Sequence, residues 1–376
     1  MIYFDSAATT NLDQEVLQSY TTILNKYFEN ADSLHDAGVK VSQLMEKSRE
    51  QIASCLKVNS DELIFTSGSS ESNNLAIKGV AFQYQRRGKH LITSCIEHSS
   101  VSATMKQLEE HFGFEVTYLP VDARGCVRKS DLLKALREDT ILVSIMAINN
   151  EVGSINDIAE LADAVHQNSR AFFHSDCTQI LGKYPIDFSK LDLASCSAHK
   201  IHGCKGSGFL YKKRNIGLLP LICGGQQEQG LRGGTSNAPC NIVLAKTVRL
   251  ALQKQEQNLR HAKELNAYLR ELLSSLKGEV EINSPIDGSS FILNFSFVHL
   301  TSEVMQNALN SKGFCVSALS TCSSKSRAVS KVLMAMGFSE NRAGRSIRVS
   351  FSSMNNKQEV ELLFKAIKEV LKDYGV

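Results

Sequence analysis

The 376-residue chain carries polar and ionisable side chains just past several strand-like runs, and their types limit the chemistry they can do. Thr66-Ser-Gly-Ser-Ser-Glu-Ser-Asn-Asn74 follows the apolar pair Ile64-Phe65 and opens a helical pattern. Glycine and hydroxyl residues at a strand-to-helix turn can present N–H and O–H donors to a phosphate. The segment lacks both the glycine spacing of a dinucleotide fingerprint and the Gly-Lys pair of a P-loop. Taken alone it reads better as a helix N-cap, a position that favours serine. Ser94-Cys-Ile-Glu-His98 ends in an imidazole, and Asn149-Asn-Glu-Val-Gly153 begins with two amides. Phe172-Phe-His-Ser-Asp176 ends in a carboxylate, with Gln179 shortly after, and Ser195-Cys-Ser-Ala-His-Lys200 ends in an imidazole and an amine. Each signal is weak singly, but five polar strand ends from one sheet are not independent accidents. Phosphate donors, an Asp and a Lys together fit pyridoxal phosphate. The Lys would carry the cofactor, the Asp would keep its pyridine nitrogen protonated, and the loop would anchor its phosphate.

These residues need a scaffold. From about residue 60 to 215, short β-branched runs (62–65, 90–94, 115–119, 141–145, 171–174, 193–195 and 207–211) alternate with helical patterns (70–86, 99–112, 130–137 and 157–168). The run Ile141-Leu-Val-Ser-Ile-Met-Ala-Ile148 is nearly all apolar, as a strand covered on both faces must be. The alternation predicts a mainly parallel, seven-stranded sheet wound with helices. In such sheets ligands bind beyond the carboxyl ends of the strands, where the polar residues fall. A Gly-rich stretch at 223–235 precedes one long polar helix, expected over about 241–276 as a spine. Smaller strand and helix patterns follow to residue 374, as in an α+β unit. The division expected is a large domain at 14–255 and a small one formed by 1–13 with 256–376.

Composition excludes other classes. Net charge is +3 from 42 basic and 39 acidic side chains, with no basic block to favour nucleic acid or a membrane surface. No apolar run approaches the ~18 residues of a membrane span. The N-terminus has neither the basic nor the apolar region of a signal peptide. Ten cysteines with no CxxC pair, in a chain of this length, suit a reducing cytoplasm better than a disulfide framework. Most are expected to be small buried hydrophobes, and no metal set is expected among them.

With those residues in place, the chain resembles the NifS/IscS-type cysteine desulfurases of the class V aminotransferases. The matching segments are Phe4-Asp-Ser-Ala-Ala-Thr-Thr10, Thr66 to Gly79, Glu97-His98, Asn149 to Gly153, His174-Ser-Asp-Cys-Thr-Gln179, Ser197-Ala-His-Lys200 and Leu231-Arg-Gly-Gly-Thr235. They stand in the family's order with similar spacing. The resemblance implies the fold type I of pyridoxal-phosphate enzymes, with Lys200 bearing the cofactor and Asp176 on its ring nitrogen. It places Gln179 and Asn150 near the ring hydroxyl, and His98 stacked on the ring as a proton shuttle. Ser69, Ser70, Ser197 and His199 surround the phosphate, joined by Thr235 from the partner subunit of a homodimer. Arg348, together with Asn150, is implied to hold the substrate carboxylate, a task suited to a guanidinium fork.

The same resemblance puts the nucleophile at Cys322, in Ser317-Ala-Leu-Ser-Thr-Cys-Ser-Ser-Lys-Ser326, with Lys325 and Arg327 nearby to favour a thiolate. The implied activity converts L-cysteine to L-alanine, leaving a persulfide on Cys322 for an acceptor protein in iron–sulfur cluster assembly or tRNA thiolation. The alternative is a selenocysteine lyase or another class V enzyme. Leu319 and Thr321 replace the family's Gly and Ala, from which a stiffer loop is expected. Cys177 and Cys204 stand where Ala and Pro are usual and are read, like Cys196, as packing residues. The C-terminus is shorter than the scaffold-binding tail of housekeeping members, which argues against an iron–sulfur scaffold as main acceptor.

Overall fold

The computed structural model describes residues 1–318 and 329–374. Strand β1 (Ile2–Tyr3) is followed by helices α1 (Gln14–Lys26) and α2 (Asp36–Leu56). Next come β2 (Leu63–Thr66), α3 (Ser69–Tyr84), β3 (His90–Ser94), α4 (Ser99–Phe112), β4 (Glu115–Leu119) and α5 (Lys129–Ala135). They lead to β5 (Thr140–Ser144), α6 (Ile158–Asn168), β6 (Phe172–Asp176), β7 (Leu193–Ser197) and β8 (Gly208–Lys212). Helices α7 (Ala238–Gln253) and α8 (Gln255–Ser274) precede β9 (Val280–Ile282), β10 (Ile292–Phe297), α9 (Ser302–Ser311), β11 (Phe314–Cys315) and β12 (Ser317–Ala318). The described chain ends with α10 (Lys331–Ala335), α11 (Glu340–Ala343), β13 (Ser346–Ser350) and α12 (Lys357–Asp373).

The expected seven-stranded sheet is present, in the order β2-β8-β7-β6-β5-β3-β4. It is parallel except at β8, which runs antiparallel to both of its neighbours. Successive strand residues point to opposite faces, and the apolar ones divide accordingly. Phe65, Ile92, Val143, Phe209 and Tyr211 join the core under α2, α6 and α7, while Ile64, Leu91, Leu142 and Leu210 join the core under α3 and α4. Both faces are covered, which is why β5 is buried throughout.

A second sheet, in the order β12-β13-β10-β9, builds a separate core with α8, α9 and α12. The single helix expected over 241–276 is instead two. The helix is interrupted by a turn at Lys254 (φ −91°, ψ −1°) without proline or glycine, and the two halves bury against different partners. Val243, Leu244 and Val248 of α7 face the large-sheet side, whereas Leu265, Leu269 and Leu273 of α8 face the small core. Of the pattern read over 325–336, the described part is α10. No element was read over 14–56, where α1 and α2 lie.

The first thirteen residues join the two units. Phe4 packs edge-on against Phe351 at 5.9 Å, and its carbonyl accepts from the Ser350 amide at 2.7 Å. Further along, the Thr10 amide donates to the His199 carbonyl at 2.9 Å, and the Asp13 amide donates to the His202 carbonyl at 3.0 Å. This segment therefore runs from the small sheet to the turn that carries Lys200.

Candidate active site

Helix α3 begins directly after β2, as the sequence suggests, but not with a serine cap. Gly68 is the N-cap, at φ +142°, and no side chain caps the first turn. Ser69 and Ser70 are the first helical residues. Together with Gly68 they line a cleft of about 370 Å³, shared with Ser197, His199, Lys205, Ala8 and Thr9. Free N–H groups at a helix start favour an anion through both hydrogen bonding and the helix dipole. Gly68 and Gly208 keep the cleft floor thin. A methyl group on Gly208 would stand 2.7 Å from the Gly68 Cα and against the Cys196 carbonyl oxygen.

His199 accepts or shares a proton with Thr9 Oγ1 at 3.1 Å. Burial, with Lys200, Lys205 and Lys183 close by, pushes its imidazole down to about 4, so it meets an anion as a neutral ring. The next residue, Lys200, projects its Nζ onto the Ala7 carbonyl at 2.8 Å and also onto that of Ala8. Burial, then the Arg348 charge, pushes the Lys200 amine down to about 8, against the opposing pull of Asp176 and Asp5.

Asp176 ends β6 and is buried. Its Oδ2 accepts from Asn73 Nδ2 at 2.8 Å and its Oδ1 from the Thr178 amide at 3.0 Å. Asn73 Nδ2 also reaches Ser100 Oγ at 2.8 Å, and Ser100 meets His98 Nδ1 at 2.8 Å. His98 is the exposed N-cap of α4. Gln179 is buried between Ala7, whose carbonyl accepts from Nε2 at 3.0 Å, and Lys183, which donates to Oε1 at 2.7 Å. Asn150 offers its carbonyl to Arg348 Nη1 at 2.8 Å. Arg348 is buried on β13, and its Nη2 donates to Asp5 Oδ1 at 2.7 Å and Ser317 Oγ at 2.9 Å.

Ser69, Ser70, Ser197 and His199 thus line one cleft, while Lys200, the residue after His199, lines a second cavity with Thr10 and Lys183, shares the Ala7 carbonyl with Gln179 and lies within the field of Asp176. His98 is tied to Asp176 through Ser100 and Asn73. Asn150 and Arg348 meet beside them. Thr235 is exposed on the Gly-rich stretch and does not line the cleft. Cys322, Leu319, Thr321, Lys325 and Arg327 lie outside the described residues. Four cysteines are buried (177, 196, 204 and 240), but Cys95 and Cys223 are exposed, so burial is less general than expected. Cys177 and Cys196 sit within the core, where burial lifts both thiols far above their usual range. Among the described residues no cluster could hold a metal ion.

Side-chain reading missed Asn73, Lys183 and the Ala7 and Ala8 carbonyls. It also missed Glu97, which accepts from Ser94 Oγ at 2.5 Å and the Met146 amide at 2.9 Å, and so fixes the turn before His98. Burial pushes its carboxyl up to about 8. All except Lys183 fall in segments the family resemblance had marked, without a role.

A family model described as class-V aminotransferase matches residues 2–363. The chain belongs to the class-V aminotransferase family. The NifS/IcsS protein homolog of Lactobacillus delbrueckii subsp. bulgaricus is 39% identical over 380 residues, covering 100% of this chain and 98% of the relative. Cysteine desulfurase IscS of Dictyoglomus turgidum is 39% identical over 373 residues, covering 98% of this chain and 94% of the relative. A solved NifS-like protein matches 99% of both chains at 37% identity, with a TM-score of 0.93. As a class-V aminotransferase this chain is a pyridoxal-phosphate enzyme of fold type I. Its residues fit that group. The uncapped α3 start and its hydroxyls suit a phosphate, buried Asp176 suits a protonated ring nitrogen, and a Lys200 amine that burial pushes down to about 8 suits covalent attachment.

Proposed function

We propose that the protein is a cysteine desulfurase, converting L-cysteine to L-alanine and passing the sulfur to an acceptor protein. The observation that carries this reading is the placing of Lys200, next in the chain to His199 of the cleft wall and within the field of Asp176, which Asn73 of α3 holds, in a chain matched along its length by relatives named cysteine desulfurase. Bound pyridoxal phosphate supplies an electron sink for charge developing at the substrate Cα. Ser69, Ser70, Ser197, His199 and the α3 amides would hold its phosphate, with Thr235 contributed by the second subunit of a homodimer. Asp176 would hold the ring nitrogen, His98 the ring face, and Gln179 and Asn150 the side of the ring hydroxyl.

The chain's own groups then divide the work. Arg348, with Asn150, holds the substrate carboxylate. Lys200 takes the Cα proton, and an amine pushed down to about 8 is partly neutral at physiological pH, as a base must be. His98, exposed at the start of α4, would serve as the proton shuttle. The Cys322 thiolate attacks the substrate sulfur. The Cβ–S bond breaks, its electron pair stays on carbon, Cβ is protonated and Lys200 returns a proton to Cα to give alanine, and Cys322 keeps the sulfur as a persulfide.

The acceptor would be an iron–sulfur scaffold or a tRNA-thiolation enzyme. The nine described cysteines are unbridged, which fits a reducing cytoplasm. Two separate cores and the break at Lys254 support domains at 14–255 and at 1–13 with 256–376. In Cys322→Ala, persulfide formation from L-cysteine should vanish while visible cofactor absorbance remains. Full persulfide production by that variant would end the assignment. Parallel assays with selenocysteine would separate a desulfurase from a selenocysteine lyase.

A further inference from the structure

A guanidinium grips a carboxylate with two parallel bonds along one of two edges, Nε with Nη2 or Nη1 with Nη2. Both edges use Nη2. This molecule contains each kind. Arg137 holds Asp139, and Arg214 holds Asp61, through Nε and Nη2; Arg49 holds Glu228 through Nη1 and Nη2. At Arg348, Nη2 donates to Asp5 and to Ser317, so both of its hydrogens are committed. Ser317 Oγ in turn donates to Asp5 Oδ1 at 2.8 Å, closing a three-membered cluster. Arg348 Nε is buried and has no partner among the described residues. An added carboxylate can therefore be gripped by two bonds only after Nη2 gives up one of its present contacts.

We propose that Asp5 is a resident carboxylate that an incoming amino-acid carboxylate displaces from Arg348 Nη2, and that Asp5 thereby sets the affinity of the site for substrate. This rests on the desulfurase reading only in taking Arg348 as the carboxylate clamp. The displacement has a preferred direction. The Arg348 side chain is 5% exposed and needs a counter-charge, whereas Asp5 is 20% exposed and can return to water. Leaving a buried guanidinium unpaired is costly, so one carboxylate replaces another at little net loss. Glu151, a further acid within the field of Arg348, is already bonded by Ser330 Oγ at 2.6 Å, and burial lifts its carboxyl. The neighbouring Lys200 and Lys183 are amines, so neither supplies a negative charge that could substitute. Asp5 itself is held in place by backbone, since Phe4 and Ala7 on either side are both bonded to Ser350.

The test uses Asp5→Asn in the holoenzyme, with L-alanine and L-alaninamide as non-reacting probes. Asparagine keeps the shape but removes the competing charge. L-Alanine should bind about fivefold tighter or more, the lower end of couplings between interacting sites. L-Alaninamide, which lacks the carboxylate, should gain nothing. The KM for L-cysteine should fall without a matching rise in kcat. The ligand-free unfolding midpoint should drop while the L-alanine-induced rise in midpoint grows. Unchanged or weaker L-alanine binding, with normal cofactor content, overturns the proposal and leaves Asp5 as a support for Arg348. Ser317→Ala frees one Nη2 hydrogen without touching charge and should move L-alanine affinity the same way by less; weaker binding there also overturns it. Undiminished L-alanine binding in Arg348→Lys would remove the clamp and the proposal together. Absence of cysteine turnover in the unaltered enzyme would instead sink the desulfurase reading alone.

Discussion

Lys183 is a buried amine whose ammonium, able only to donate, fixes Gln179 with Oε1 on its own side and Nε2 toward the Ala7 carbonyl. Burial first, then Lys200 and Arg348, pushes it down to about 7; the rings of His199 and His202 also lie within its field. An unfolded lysine titrates near ~10.4, so between about pH 7 and 10 the unfolded chain binds more protons at this position than the folded one. Stability therefore rises with pH across that window, and the destabilisation is complete below pH 7. In Lys183→Met this dependence should disappear. The unfolding midpoint of the variant relative to the parent, measured on cofactor-stripped protein, should be highest near pH 6 and decline toward pH 10. A difference that stays flat with pH would rule out a strained lysine here. The contrast with Lys200 explains what could be read from sequence. Lys200 and Asp176 stand at or just past strand ends, where a parallel sheet collects ligand-binding residues, so their positions along the chain mark them as candidates. Lys183 acts through Gln179, and the Phe4–Thr10 segment through its Ala7 and Ala8 carbonyls and through Asp5 on Arg348. Backbone groups carry no side-chain signature, and contacts made across the fold leave no spacing to find.

At the scale of elements, the cup depends on β8 lying close beneath the β2–α3 turn. Gly208 opens β8 and pairs with Thr66 and Ser197 on its two sides. A Cβ there meets backbone on both flanks, Cys196 and Gly68, neither of which can swing away as a side-chain tip could. Gly208→Ala should cost about 1–3 kcal/mol, as overpacking of a filled core does. It should also weaken cofactor retention, because the strand must move from the α3 start. Equilibrium unfolding and cofactor release on dilution would measure both. A stability loss with normal retention would separate the fold from the cup. Strand positions were legible because apolar alternation and full burial are written along the chain; β3, β4 and α4 have the bounds expected. The reversal of β8 was not, since antiparallel and parallel strands share the same alternation. The break at Lys254 escaped because both halves are helical by pattern, and only their partners differ.

For the whole molecule, the N-terminal thirteen residues are the strap between the two cores. Phe4 is fully buried in the small core, and three residues later Ala7 accepts from both Lys200 and Gln179. Loss of the Phe4 ring should therefore act at two places about a domain apart. Phe4→Ala should destabilise by about 3–5 kcal/mol, as removal of a buried phenylalanine ring does. The small core should lose most, but the effect should also reach the Lys200 turn through Thr10 and Asp13, whose amides donate to the His199 and His202 carbonyls. Hydrogen exchange at the amides of Thr10, Asp13 and Ile201 should accelerate in the variant under conditions where the large sheet stays folded. Phe4→Leu, which keeps most of the apolar volume, should restore much of that protection. Faster exchange confined to the small sheet, with the Thr10 and Asp13 amides still protected, would show the strap to be slack and the two units to be coupled by other contacts.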